Sequence, residues 1–177
     1  MKTLPDYLEK GLKIVSIGLN PSIPSVEAGF YFANPRNRFW KALNASALIS
    51  ESLTPGRESN ELLFKKYKFG FTDVVKRSTR GGSSLRAADF KQWAPELHSK
   101  LKKYQPKVAW FHGVDGYRKY LLYGEGIKER LAPGEQQHSI GETRVYVTPN
   151  PSPANAVYSL QDLIDWYNKL GLYLENG

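Results

Sequence analysis

Two asparagines stand directly before proline, in places where their side chains could do chemistry. Asn20 lies in residues 18–22 and Asn150 in residues 148–153. Proline biases the residue before it toward an extended conformation, which leaves the asparagine amide free to point outward. An amide has one carbonyl acceptor and two N–H donors, so it can orient a water molecule or read the edge of a base. The alternative is that Asn-Pro simply makes a good turn.

An aromatic cluster follows the first of these turns, in residues 29–40. Loops are normally polar, and a planar base stacked on an aromatic ring gains ~1–3 kcal/mol. Phe30 and Phe32 could stack in this way, or they could fold back as part of the core. Arg36 and Arg38 in the same stretch could contact phosphate or pair with a carboxylate.

A carboxylate, Asp73, comes near the end of a weaker candidate strand at residues 69–75. An acid in this place could activate a water molecule or stabilise positive charge that develops on a sugar. The alternative is that Asp73 caps a helix or a turn.

The elements that must position these residues alternate between strands and helices. Continuous apolar runs predict buried parallel strands at residues 13–18, 107–113 and 144–148. Apolar spacing predicts four helices. One begins at Arg38, and the others cover residues 87–103, 115–123 and 160–170. For the last helix, Ser159 and Asp162 form a capping-box pattern and Gly171 is expected at the C-cap.

This alternation predicts an α/β domain, with helices on both faces of a mainly parallel sheet. We expect residues 1–177 to form one domain. Ligands of such sheets bind beyond the carboxyl ends of the strands. The residues after Gly18, Val75, Gly113 and Thr148 are therefore the place to expect a site.

The composition favours a polyanionic partner. The chain has 177 residues and a net charge of +8, and it contains no cysteine. Disulfides, thiolate catalysis and cysteine-held metals are thereby excluded. The three histidines show no ligand spacing, so we expect no metal and no cofactor. Because no apolar run could span a bilayer and the N-terminus does not resemble a signal peptide, we expect a cytoplasmic protein that associates with the nucleoid when it acts on DNA.

Residues 18–22, the block 29–40 and Asn150-Pro151-Ser152 together resemble the mismatch-specific uracil/thymine DNA glycosylases, the Mug/TDG branch of the uracil-DNA glycosylase superfamily. The resemblance runs from about Lys13 to about Leu170 and includes residues 69–77. It implies a three-layer α/β/α sandwich with a short, mainly parallel sheet. It also implies a hydrolytic enzyme of base-excision repair that acts on double-stranded DNA containing uracil, chiefly opposite guanine, or a related damaged base, with single-stranded DNA as a further substrate to test. Because no single lysine stands out near the expected site, we expect a monofunctional enzyme that leaves an abasic site, and we expect it to work as a monomer.

The resemblance also assigns roles to residues. Asn20 would position the attacking water, Phe32 would stack on the flipped base, and backbone groups near Leu19 and Tyr31 would help to read the pyrimidine edge. An acid at Asp73, where some members carry an uncharged or basic residue, suggests a variant way of activating water. The remaining expected contacts are Asn150 to the substrate and, to DNA, Arg36, Arg38, Arg80, Ser152, Pro153, Ala154, Asn155 and Ala156.

The loop expected to enter the duplex departs from the pattern of this branch. A bulky apolar residue and an arginine are usual there, but this chain has Ala154 and Ala156. Asn155 could still bond to the opposing guanine, and Val157 or Tyr158 could lie nearby. The run from Ser152 to Ala156 also resembles hypoxanthine-directed relatives. A hypoxanthine glycosylase and a non-catalytic nucleic-acid-binding module therefore stay open as alternatives.

Overall fold

The computed structural model describes residues 2–177. Its centre is a five-stranded sheet built from strands β1 (Ile14–Gly18), β2 (Phe69–Asp73), β3 (Val108–His112), β4 (Gly134–Glu135) and β5 (Arg144–Thr148). The strand order is β2-β1-β3-β5-β4. All pairs are parallel except β4 with β5, which is antiparallel. The carboxyl ends of four strands therefore meet at one edge of the sheet.

Helices connect the strands. They are α1 (Ile23–Ala28), α2 (Phe39–Ala45), α3 (Arg57–Lys66), α4 (Ala87–Tyr104), α5 (Val114–Tyr120) and α6 (Leu160–Glu175). A short 3₁₀ turn covers Gly82–Ser84, and a π-helical turn at Leu121–Glu125 extends α5.

The buried strand residues alternate between two apolar cores, one on each face of the sheet. Trp110 packs with Phe39 of α2 and Tyr167 of α6 on one face. On the other face, Phe111 packs with Leu97 of α4 and Tyr120 of α5. Side chains of successive strand residues point to opposite faces, so these continuous apolar runs fill both cores. The predicted three-layer α/β/α sandwich with a mainly parallel sheet is confirmed.

The last helix extends beyond its predicted end. The prediction of a C-cap at Gly171 is wrong, because α6 continues through this residue to Glu175. Leu172 and Leu174 follow the glycine, and Leu174 packs against the core, so the apolar pattern continues beyond it. The predicted capping box at Ser159 and Asp162 is present. Within residues 2–177, no helix is long and apolar enough to cross a membrane.

Candidate active site

A cavity of about 340 Å³ opens at the carboxyl ends of the parallel strands. This is where the strand order predicts a ligand site. Most of the residues expected from the sequence to form a site line this cavity: Leu19, Asn20, Tyr31, Phe32, Arg36, Asp73, Arg80, Asn150, Ser152, Pro153 and Ala154. Arg38, Asn155 and Ala156 lie outside its wall.

The amide of Asn20 is held in one orientation. Its Nδ2 donates to the backbone carbonyl of Arg77 at 2.9 Å and to the hydroxyl of Thr79 at 2.7 Å. Both N–H donors are thus used within the protein, and only the carbonyl oxygen remains for a ligand. Of the two roles that the sequence leaves open for Asn20, this arrangement suits orientation of a water molecule.

The segment that holds Asn20 is itself anchored. Thr79 donates its backbone N–H to Pro21 and accepts from the N–H of Ile23, so residues 21–23 pair with it on both sides. Arg77 makes a two-pronged ion pair with Asp89 of α4, at 2.7 and 2.8 Å. The turn after β1 is therefore fixed to the segment after β2 and, through it, to a helix.

Asn150, the second asparagine before proline, presents the opposite end of its amide. Its Oδ1 accepts the backbone N–H of Ser152 at 2.9 Å, which closes a turn after β5. Gly113 lies against Asn150, and a Cβ there would come within 3.2 Å of the asparagine Cβ. Because its oxygen is used within the turn, Asn150 can offer N–H donors to a ligand, whereas Asn20 can offer an acceptor.

Asp73 ends β2 and lies in the cavity wall beside the turn that carries Asn20. Its side chain is only 4% exposed. Its Oδ1 packs against Gly18, where any Cβ would come within 2.9 Å, so the glycine makes room for the carboxylate. Burial raises the pKa of Asp73 to about 6, against the opposing effect of the nearby Lys76 ammonium. Asp73 is therefore mostly ionised at neutral pH and can accept a proton there.

Phe32 forms an aromatic wall of the cavity. Its ring stacks on Phe39 at a centroid distance of 4.1 Å and meets His112 edge-on at 5.2 Å. Its backbone has a φ of 60°, which is rare for a bulky residue. Strained backbone of this kind often occurs at functional sites. Phe30 instead packs against the core and does not line the cavity, as the alternative interpretation predicts.

The backbone of Tyr31 is engaged within the protein. Its N–H donates to Asn60 Oδ1 at 2.9 Å, and its C=O accepts from the indole N–H of Trp40 at 3.2 Å. These bonds fix the aromatic loop and use the N–H of Tyr31, whereas its C=O has a second lone pair that can still accept a bond. Leu19 contributes its side chain to the wall and packs closely on Gly82.

Arg38 has a structural role that the sequence did not indicate. Its guanidinium donates to the backbone carbonyls of four residues of the loop after β5: Pro151, Ser152, Asn155 and Tyr158. This one side chain therefore clamps the loop that was expected to enter DNA. Arg36 and Arg80, by contrast, are exposed at the cavity rim, and neither makes an ion pair with any residue that the structure describes.

The clamped loop exposes an apolar side chain. Val157 is 83% exposed. Ala156 beside it is also exposed but has only a methyl side chain. Asn155 is turned into the loop, since its Nδ2 donates to the backbone carbonyl of Asn150 at 3.0 Å. Its Oδ1 also accepts the N–H of Val157 at 3.4 Å, so the amide has one N–H donor left over to contact a guanine in this conformation.

His112 lines the cavity, although the sequence patterns predicted no role for its side chain. It ends β3 and borders both this cavity and a second one of about 280 Å³. Its Nε2 shares a 2.7 Å hydrogen bond with Ser16. Burial lowers its pKa to about 3, so the ring is neutral at physiological pH. Its position at a strand end was the available signal. Among residues 2–177, no group of three or more metal-ligating side chains comes together.

Comparisons with known proteins agree with this architecture. The chain has the fold of a proposed uracil DNA glycosylase from Methanosarcina acetivorans, whose solution NMR structure superposes with a TM-score of 0.63 at 23% identity over 98% of each chain. The family model described as "Uracil DNA glycosylase superfamily" matches residues 5–171, which is nearly the whole length. The chain therefore belongs to the uracil DNA glycosylase superfamily.

Proposed function

We propose that this protein is a monofunctional DNA glycosylase that removes uracil from DNA and leaves an abasic site, within the mismatch-specific branch of its superfamily. The observation that carries the proposal is the fixed amide of Asn20, whose free carbonyl oxygen shares one cavity with the buried carboxylate of Asp73. A protein that only binds nucleic acid has no use for a water-orienting oxygen beside a proton acceptor.

The proposed reaction is hydrolysis. The carbonyl oxygen of Asn20 accepts one hydrogen of a water molecule, and Asp73 accepts the proton that the water loses. The water oxygen bonds to C1′ of the deoxyribose while the bond from C1′ to the base nitrogen breaks. The base leaves with the electron pair, so donors near it stabilise the transition state. The N–H groups of Asn150 are suited to this role because its oxygen is already used in the turn.

A base must leave the stack to reach this cavity. Phe32 offers a ring for it to stack on, and that ring is held by Phe39 behind it. The exposed guanidinium groups of Arg36 and Arg80 at the rim are placed to meet backbone phosphates. Together, the aromatic wall and the rim arginines suit a nucleotide that is turned out of the duplex, with its base in the cavity and its phosphates at the rim.

The enzyme should discriminate only weakly between uracil opposite guanine and uracil opposite adenine. Asn155 is tied into its loop, and Ala154 and Ala156 offer no group to read a guanine. We infer a modest preference for G·U over A·U that arises because a mispaired base is easier to extrude. Val157 is the side chain of this loop best placed to fill the gap, since it is the most exposed large apolar residue that the structure describes.

The test is an assay on end-labelled DNA without added metal. Substrates carry one uracil opposite guanine, one opposite adenine, one in a single strand, and one hypoxanthine in a duplex. We expect strand cleavage only after alkali treatment, on all three uracil substrates. Cleavage of hypoxanthine alone would establish the hypoxanthine-directed alternative. DNA binding with no cleavage of any substrate would point to the binding module.

A further inference from the structure

A buried lysine lies behind the proposed proton acceptor. The side chain of Lys76 is only 6% exposed, although it carries a charge. Its ammonium lies 2.8 Å from Asp6 Oδ1, 3.5 Å from Asp73 Oδ2 and 3.2 Å from the hydroxyl of Tyr31. The three N–H donors of the ammonium thus each have a partner, which is what a buried charge requires.

Asp6 belongs to the segment before β1 and is shared by a second cation. Its other oxygen, Oδ2, accepts from Lys100 of α4 at 2.7 Å, and Thr72 donates to its Oδ1 at 2.7 Å. Two carboxylates and two ammonium groups therefore form a neutral cluster that joins the N-terminal segment, the end of β2 and α4. Because Lys100 also neutralises Asp6, the charge of Lys76 remains available to Asp73.

We propose that Lys76, anchored by Asp6, is a positioning residue that keeps the Asp73 carboxylate ionised and oriented at the cavity. This inference rests on the proposed function, because it assigns Lys76 a part in the same reaction. A buried carboxylate without such a partner would take up a proton and could not accept one from water.

The two neighbours of Asp73 should act in opposite directions. Lys76 favours the ionised carboxylate and so opposes the effect of burial on the pKa of Asp73. Asp6 disfavours the ionised carboxylate through like-charge repulsion and so adds to the effect of burial. Of the other groups near the cluster, Lys100 acts in the same direction as Lys76. Burial raises the pKa of Tyr31 well above its ordinary value and lowers that of His112, so both are neutral. The remaining charges on this cavity, Arg36 and Arg80, are at the rim.

The test is a ¹³C NMR titration of the Asp73 carboxyl in the free protein, with single-turnover rates measured over the same pH range. We expect Lys76→Gln to raise the pKa of Asp73 by about one pH unit or more and Asp6→Asn to lower it. The acid side of the rate profile should move in step, so that at pH 6 the shift alone slows Lys76→Gln roughly fivefold or more. Lys76→Arg should restore a profile close to that of the wild type.

The controls separate a charge effect from a structural one. Lys66→Gln removes an exposed lysine at the end of α3 that pairs with Glu51, far along the chain from Asp6, and should change neither readout. Near-UV circular dichroism reports whether each variant is folded. If Lys76→Gln does not fold, Asp6→Asn still tests the charge effect, because it should lower the pKa of Asp73, and a raised or unchanged pKa would contradict the inference.

The outcomes distinguish this inference from the proposed function. If the wild type cleaves uracil-containing DNA but Lys76→Gln and Asp6→Asn shift the pKa of Asp73 in the same direction, or not at all, the role of Lys76 is overturned. If the wild type shows no glycosylase activity on any substrate, the proposed function fails, and the role of Lys76 in it falls whatever the titration shows. Opposite pKa shifts with matching rate profiles support the inference.

Discussion

Asn20 donates a 2.7 Å hydrogen bond to the hydroxyl of Thr79, and this bond helps to decide which end of the amide faces the cavity. Without it, the amide keeps only the carbonyl of Arg77 as a partner. We therefore expect Thr79→Val, which keeps the shape but removes the hydroxyl, to slow single-turnover cleavage about fivefold, the effect of losing roughly one hydrogen bond. Ser78→Ala removes the neighbouring hydroxyl and serves as the control. Equal rates for both variants would show that Thr79 does not orient Asn20.

Asp73 should make the protein less stable at neutral pH, as expected for a buried group kept for function. Its folded pKa of about 6 lies above its ordinary value of 3.8, so the folded state binds the proton more tightly. The stabilisation from this proton is fully present below about pH 4 and is lost as the pH rises through about 6. The free energy of unfolding of the wild type should therefore fall by about 1 kcal/mol, relative to that of Asp73→Asn, when the pH is raised from 5 to 8. Urea unfolding at both pH values measures this change. If the difference in free energy of unfolding between the two proteins is the same at both pH values, burial does not raise the pKa of Asp73.

Arginines at the cavity rim and an arginine in the loop clamp should respond differently to mutation. Arg36 and Arg80 lie at the rim, so Arg36→Gln and Arg80→Gln should each reduce the salt dependence of DNA binding by about one phosphate contact. Arg38→Gln should leave that slope unchanged, because its guanidinium already donates to loop carbonyls. Its effect should instead be a roughly tenfold loss of activity on duplex DNA, from a loosened loop. Titrations of an abasic-site analogue in a duplex at several NaCl concentrations separate the two classes.

Val157 should matter only when the DNA is double-stranded. A side chain that fills the gap helps to offset the cost of unstacking a base, which a single strand does not impose. We expect Val157→Ala to slow uracil removal from duplexes about fivefold to tenfold and to leave the single-strand rate unchanged. Leu172→Ala is the matched control, since Leu172 is another exposed apolar residue, at 59%, but lies on α6. If Val157→Ala slows uracil removal equally on duplex and single-stranded DNA, Val157 does not fill the gap in the duplex.

The sequence predicted the features that arise from local patterns. Continuous apolar runs marked three of the four parallel strands, and the fourth, β2, was a weaker candidate. The two Asn-Pro turns and the aromatic block fell at the edge where the cavity lies. It did not predict the short helix α1, the helix α3, whose residues are mostly polar, or the two-residue edge strand β4. Gly171 looked like a helix end because a glycine often is one, but tertiary packing carried α6 past it.

The details that decide the chemistry depend on residues far apart in the chain. The orientation of the Asn20 amide is set by Arg77 and Thr79, and the environment of Asp73 includes Asp6 and Lys100. Arg38 carries a charge that suggested phosphate, but the fold gathers four carbonyls around it. Local sequence patterns contain no information about such partners.

The central claim is that Asn20 orients the attacking water. The most direct test measures Asn20→Ala against the wild type in single-turnover cleavage of a G·U duplex, alongside binding to a duplex with an abasic-site analogue. Loss of the water-orienting oxygen should slow cleavage at least about 100-fold. Binding should change by less than about twofold, because Asn20 contacts no phosphate in this account. A cleavage rate within a few-fold of the wild type, in a folded variant that binds normally, would contradict the claim.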